Sequence, residues 1–326
     1  MACLCALADP GSGLINPKGI IFNPTTKKVY VVDTRHDAVD VIRTDDQSVT
    51  RVPVGGAPVS IAVDSHRAYV ANSADGTVSI IDGNSDKVVA TVPVGARPYS
   101  IAANPVTGVV YVSHTFSDKT TALDGATHAV TQLTTGSIDL IAVDSAANIA
   151  YLLGYEGGSV GILDGSSNSL RRAEAGKHAW GMTLNEATHT LYVARMGMAS
   201  VIAIHGAASS ILPAGHTPCA IAVNPTTDAI YVANYADGTV SILDGNNATI
   251  AVGVRPQAVA VDPVRNLAYV ANRMSNTVTV IDGERRKAVA TLPAGRAPYA
   301  LAVDPGSSRI YVANEAGETN FTIVSN

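Results

Sequence analysis

Apolar residues in this chain fall into short runs separated by turn-forming residues, and the runs recur in one order. The clearest copy reads Pro58-Val-Ser-Ile-Ala-Val-Asp64, then Ala68-Tyr-Val-Ala-Asn72, then Thr77-Val-Ser-Ile-Ile-Asp-Gly83, then Val88-Val-Ala-Thr-Val92. Each run has the length of a β-strand and is too short for a helix. A tyrosine heads the second run of every copy, at Tyr30, Tyr69, Tyr111, Tyr151, Tyr192, Tyr231, Tyr269 and Tyr311, with 38 to 42 residues between successive tyrosines. Four short strands per unit at this period predict the blade of a β-propeller. The fold class is therefore all-β, a single-domain β-propeller of eight four-stranded blades. Its repeat units run approximately over 16–55, 56–95, 96–136, 137–176, 177–215, 216–253, 254–295 and 296–326.

Runs such as Ile61-Ala-Val63 and Val259-Ala-Val261 are apolar on both sides of the pleat, which predicts strands buried on both faces, as in stacked blades. Ala62, Ala102, Ala142, Ala222, Ala260 and Ala302 recur at one position of the first run, where a small side chain lets inner strands approach. Asp-Gly pairs at 82–83, 124–125, 164–165, 244–245 and 282–283 join third and fourth runs and read as hairpin turns with positive φ at glycine. Asn72, Asn234, Asn272 and Asn314 close the second run, where the side chain is expected to cap the following turn.

Composition adds limits. Hydrophobic residues make up 47% of the chain and charged ones only 15%, the balance of an ordered protein with a substantial core. A net charge of −5 without a Lys/Arg cluster argues against nucleic acid or an anionic membrane as partner. No apolar run reaches the roughly 18 to 20 residues of a transmembrane helix.

Tyr231-Val-Ala-Asn234, Tyr269-Val-Ala-Asn272 and Tyr311-Val-Ala-Asn314, each preceded by Gly-x-x-Pro (Gly215 to Pro218, Gly253 to Pro256, Gly295 to Pro298), resemble the YVTN-type β-propeller repeat family over essentially the whole chain. Seven blades is the commoner count in that family; the tyrosine count here gives eight. With Trp180 as the only tryptophan, WD-type repeats do not fit. The resemblance implies a propeller and, by the family's habits, an exported protein in the periplasm or outside the cell. Similar propellers include exported and cell-surface proteins, lactonases, a streptogramin lyase and haem- or quinone-linked enzymes, so resemblance alone does not choose an activity.

The last unit stops after its third run, Phe321-Thr-Ile-Val324, and residues 2–8 (with Cys3-Leu-Cys-Ala-Leu7) are the spare apolar run, so pairing of the chain termini is expected to close the fold. A competing reading takes Ala6-Leu-Ala8 before Asp9-Pro10 as a signal-peptidase site at the tail of an export signal. Cys3 and Cys5 point the same way from a strand and Cys219 stands alone on a loop, so small buried thiols are expected in place of a disulfide framework.

Function is sought where the repeats break. The residue after the lead-in proline position reads Lys18, Val59, Tyr99, Asp139, Trp180, Cys219, Gln257 and Tyr299. The signature asparagine becomes Asp33, His114, Gly154 and Arg195 in the other blades. Both positions belong to loops on one face, the usual binding face around the axial opening. Blades three to five also carry Asp139, Tyr155, Glu156, Lys177, His178 and Trp180, a concentration of acid, base, cation and aromatic groups that suits a small-molecule pocket. Candidate ligand-binding residues are Lys18, Tyr99, Asp139, Tyr155, Trp180, Arg195, Gln257 and Tyr299. Candidate proton-transfer residues are His114, Asp139, Glu156, His178 and Arg195, with salt bridges to Arg195 or Arg97 as the purely structural alternative.

No Gly-x-Ser-x-Gly elbow, phosphate-cradling glycine loop or His-Glu-x-x-His pair is present. His114, His178 and His216 belong to different blades without ligand spacing, so no metal is assigned; His66, His128 and His189 fall in turns of the opposite face. No cofactor is strongly implied. The leading expectation is a non-enzymatic propeller binding a small molecule, glycan or protein. The alternative is a lyase or hydrolase, lactonase-like or streptogramin-lyase-like, acting in the axial funnel by acid-base chemistry of the blade three-to-five residues, with or without a metal. Haem or quinone electron transfer comes third, for want of a Cys-x-x-Cys-His.

Overall fold

The computed structural model describes residues 19–317 and 320–325. They form an eight-bladed, all-β propeller whose blades are antiparallel sheets with strands in chain order. Seven sheets have four strands and the last has three among the described residues. The blades span 20–53, 58–93, 98–134, 140–174, 179–213, 218–251, 256–293 and 296–325. The described residues through Glu174 make one compact unit of four blades, and those from Ala175 make a second, also of four. Lys18, Cys3, Cys5 and the proposed closing strand at 2–8 lie outside the described residues.

The second blade shows why these residues form these strands. Pro58–Val63, Arg67–Asn72 and Thr77–Asp82 are buried almost throughout, whereas the fourth strand, Lys87–Pro93, is largely exposed. Tyr69 stands opposite Ala62 on one side and Ile80 on the other. The same pairing recurs at Tyr231 with Ala222 and Tyr269 with Ala260. The recurrent alanine thus has a cross-strand reason: it leaves room for a fully buried phenol ring. Tyr69 packs with Ala62 and Ile80 against Ile101, Val110 and Val112 of the third blade, so the tyrosines join blade to blade as well as strand to strand.

Two turn readings need correction. Of the Asp-Gly glycines, only Gly245 has positive φ, at 87°. In the other hairpins the left-handed residue comes later, at Asp86, His128, Asn168 and Arg286. Their glycines are required by close approach instead: a Cβ on Gly125 would lie 2.4 Å from the Tyr69 hydroxyl, and one on Gly283 the same distance from that of Tyr231. The asparagine does not cap its turn either. Asn72 Nδ2 donates to Thr77 Oγ1 (3.0 Å) and Ser79 Oγ (2.9 Å) on the third strand. Asn234 makes the matching pair of bonds and also accepts from the lead-in Gly215 N at 3.1 Å. It is a buried brace between strand and lead-in loop.

Candidate functional site

The lead-in Gly-x-x-Pro segment builds a defined backbone feature. The residue before the proline position adopts positive φ at Ala57, Arg97, His178, Thr217, Arg255 and Ala297. Its carbonyl accepts the N–H of the residue after the signature position, as in Thr217 O to Tyr235 N at 3.0 Å. The residue after the proline position then sits in a β-bulge, where register shifts between Pro58 and Ser60, Ala179 and Gly181, Pro218 and Ala220, Pro256 and Ala258, and Pro298 and Ala300. A bulge re-aims the side chain it carries. Val59, Trp180, Cys219, Gln257 and Tyr299 therefore occupy one geometric position, as does Tyr99 at the irregularity of blade three.

These side chains differ in exposure. Tyr99, Trp180 and Gln257 are half-buried, while Val59, Cys219 and Tyr299 are buried. Cys219 belongs to the strand Pro218–Val223, not to a loop as its position after the proline suggests; its Sγ donates to Pro256 O of the next blade at 3.2 Å. Trp180 and Tyr235 both pack against the cluster containing Cys219, Ala220 and Val259. Asp139 has no bulge beneath it. It precedes the strand Leu140–Asp144 and its Oδ2 accepts from Tyr155 N at 2.7 Å. Tyr155 is half-buried and Glu156 is exposed in that turn.

Two of the departures from asparagine, His114 and Arg195, reproduce its bracing role with other chemistry. His114 Nδ1 lies 3.0 Å from Ala96 O, which only accepts, so Nδ1 carries a proton; Nε2 lies 2.7 Å from Thr121 Oγ1, whose one proton is shared between Nε2 and Val94 O at 2.9 Å. Thr121 is seven residues on, the spacing from Asn72 to Ser79. Burial holds the His114 pKa below the usual imidazole value, against the smaller opposing effect of the Ala96 carbonyl. Arg195 donates through Nε and Nη2 to Ser200 Oγ at 3.0 and 2.6 Å, five residues on, the spacing from Asn72 to Thr77. Gly154 is fixed by contact, since a Cβ there would lie 2.3 Å from Ser137 O. Asp33 pairs with Arg51, which also binds Asp40.

Among the described residues, no hydrogen bond or ion pair joins His114, Asp139 and Glu156. His178 is exposed at φ 60°, and its carbonyl receives Met196 N at 3.0 Å. Arg97 lies over the Phe116 ring at 5.7 Å and Arg195 is held by Ser200, so neither forms the salt bridge weighed from sequence. No group of three or more His, Cys, Asp or Glu side chains among the described residues has the arrangement of a metal site.

On the lead-in face, the structure presents a cleft of about 740 Å³ between blades six and seven, lined by Thr217, Tyr235, Asp237, Val252, Val254 and Arg255. Arg255 lies over the Tyr235 ring at 5.4 Å. Asp237, between the second and third strands of blade six, pairs with His216 of the lead-in loop at 3.0 Å. Arg273, paired with Glu315, stands beside the Tyr235 hydroxyl. Sequence reading missed this group because Tyr235 and Arg255 are 20 residues apart in different repeats, and only stacking of the two blades makes them neighbours.

No protein-family model matches the chain, and no curated protein matches it. Solved structures do. A chain of hydrazine synthase from Kuenenia stuttgartiensis is 18% identical, with 98% of this chain and 99% of that one covered and a TM-score of 0.66. A functionally unknown protein from Desulfotomaculum acetoxidans DSM 771 is 12% identical, with 89% and 100% covered and the same TM-score of 0.66. At these identities the likeness is one of fold.

Proposed function

We propose that this chain is an exported, non-catalytic propeller of the YVTN type that binds a small molecule, glycan or protein through the lead-in face of its blades. The observation that carries this reading is the bulge position. Its backbone repeats in six blades, yet it turns partly to the surface a tyrosine, a tryptophan and a glutamine at Tyr99, Trp180 and Gln257 and buries Val59, Cys219 and Tyr299. A constant frame with varied side chains is how a repeat scaffold supports recognition. The cleft of Tyr235, Val254 and Arg255 offers an apolar and aromatic surface with a few polar groups, the usual composition of a binding pocket. Binding chemistry also suits the hydrogen-bonding commitments of His114 and Arg195, which act as braces. Export rests on the family resemblance and on Ala6-Leu-Ala8, and cell fractionation with N-terminal sequencing of the secreted protein tests it.

Trp180 packs on the same cluster as Tyr235, so its fluorescence reports on this region. A panel of oligosaccharides and small carboxylates titrated against the protein should give a saturable change that Tyr235→Ala and Arg255→Ala weaken by about tenfold or more. A ligand indifferent to both changes sinks the assignment. Turnover of a lactone substrate abolished by His114→Ala in a folded protein would replace it with the enzymatic reading.

A further inference from the structure

At the opposite ends of the blades, where first strands turn into second and third into fourth, the residue two before the signature tyrosine is a seam-crossing cation in blades one and two and is Val109, Ile149, Thr190, Ala229 and Leu267 in blades three to seven. In blade one, Lys28 opens the second strand and crosses to blade two, where its Nζ donates to Gly83 O and Asp86 Oδ1, both at 2.7 Å. Arg67, at the same place in blade two, donates to Gly125 O of blade three. In both cases a long cation straps one blade to the Asp-Gly turn of the next, with its aliphatic stem lying along the seam.

Thr190 holds that place in blade five and is too short to reach. The seam between blades five and six is open at its Asp-Gly turn. A Cβ on Gly125, Gly165 or Gly283 would lie 2.4 to 2.8 Å from the tyrosine hydroxyl of the preceding blade, whereas one on Gly245 meets nothing within 4 Å. Small side chains at Ala203, Ala208, Ser209 and Ser210 widen the gap. The result is a cleft of about 500 Å³ with Ala203, Leu212, Ile230 and Leu243 as apolar walls. Its mouth carries Thr190, His205, Asp228 and the Asp244-Gly245 turn. Asp228 accepts from Asn185 Nδ2 at 2.7 Å and is reached by the Tyr192 hydroxyl, and Asp244 is held by Arg286 at 2.5 Å. Thr190 Oγ1 and His205 Nδ1 are 3.5 Å apart.

We propose that this cleft receives an aliphatic primary amine, whose ammonium takes the place that Lys28 Nζ fills in the first seam and whose alkyl chain lies on the apolar walls. Gly245 O is the counterpart of Gly83 O, and Asp228 supplies the charge that Asp86 supplies there. The cleft lies at the other ends of the blades from the proposed binding face, so the two readings stand or fall separately.

Isothermal titration of the intact protein with 1-aminopentane should show saturable binding, at least tenfold tighter than 1-pentanol of the same shape. Asp228→Asn, an exposed change, should weaken the amine by about tenfold. Thr190→Lys should abolish amine binding and raise the melting temperature, because the chain then supplies its own strap. A peptide carrying one central lysine, titrated beside a version with norleucine there, identifies the source. Tighter binding of the lysine peptide than of the free amine marks a protein partner, and weaker binding marks a free amine. Equal affinity for amine and alcohol, no binding of either, or an amine affinity within twofold of wild type in both variants overturns the proposal.

Discussion

At the residue scale, one position explains most of what the chain keeps and changes. Asn234 satisfies Thr239, Ser241 and the Gly215 N–H from inside the protein, where each unmet partner would be desolvated for nothing. Asn234→Ala should destabilise by about 2–4 kcal/mol, measured by denaturant unfolding. His114 performs the same task with a ring. His114→Asn is therefore expected to be nearly neutral and His114→Ala to lose about 1–3 kcal/mol. The pH dependence follows from its buried neutral state. The folded-state pKa lies below the ordinary 6.5, so the unfolded chain takes up the proton first as pH falls. The stability that His114 contributes above 6.5 is lost progressively below it, down to the folded-state pKa. Unfolding midpoints from pH 7.5 to 5 should slope less in His114→Asn than in wild type; equal slopes would show the histidine is not the group responsible.

At the element scale, the lead-in loop spends conformational energy in six blades, at Ala57, Arg97, His178, Thr217, Arg255 and Ala297. Thr217 is β-branched, precedes a proline and has φ 54°, three conditions that disfavour one another. Thr217→Asn should relieve this strain and stabilise by about 1 kcal/mol, visible as a higher melting temperature. The sequence made the strands, their order and the blade count legible because a tyrosine, an alanine and a turn recur at fixed intervals. It misled on Cys219, since a bulge moves the residue after proline into the strand and no local pattern distinguishes that from a loop. It misled on the Asp-Gly turns for a related reason. The glycine answers to a hydroxyl 52 to 56 residues earlier in the chain, at Tyr69 or Tyr231, and not to the hairpin it sits in. The acid, base and cation concentration of blades three to five was visible as composition, but the partners that engage His114 and Arg195 were not.

At the scale of the whole molecule, each blade leans on its neighbours in the same unit, and stability is carried by seams. Lys28 and Asp86 are nearly buried, with side chains 5% and 13% exposed, so Lys28→Met leaves a carboxylate and the Gly83 carbonyl without their cation. A loss of about 2–4 kcal/mol is expected, with the first two blades gaining amide exchange while blades six and seven keep their protection. Uniform loss of protection across all blades would show that the strap is not local.

The straps also bear on how the chain would behave as a mechanical object. A protein whose stacked sheets are tied by individual cations should not give way to tension all at once. Held by its ends, it should lengthen in steps as sheets detach, each freeing about 130–140 Å of extended polypeptide for a repeat of some 40 residues. The seam at Thr190, opened by its cleft, should part at the lowest force within its unit, where Arg286 crosses from blade seven to Asp244 of blade six and Arg265 from blade seven to Pro305 O of blade eight.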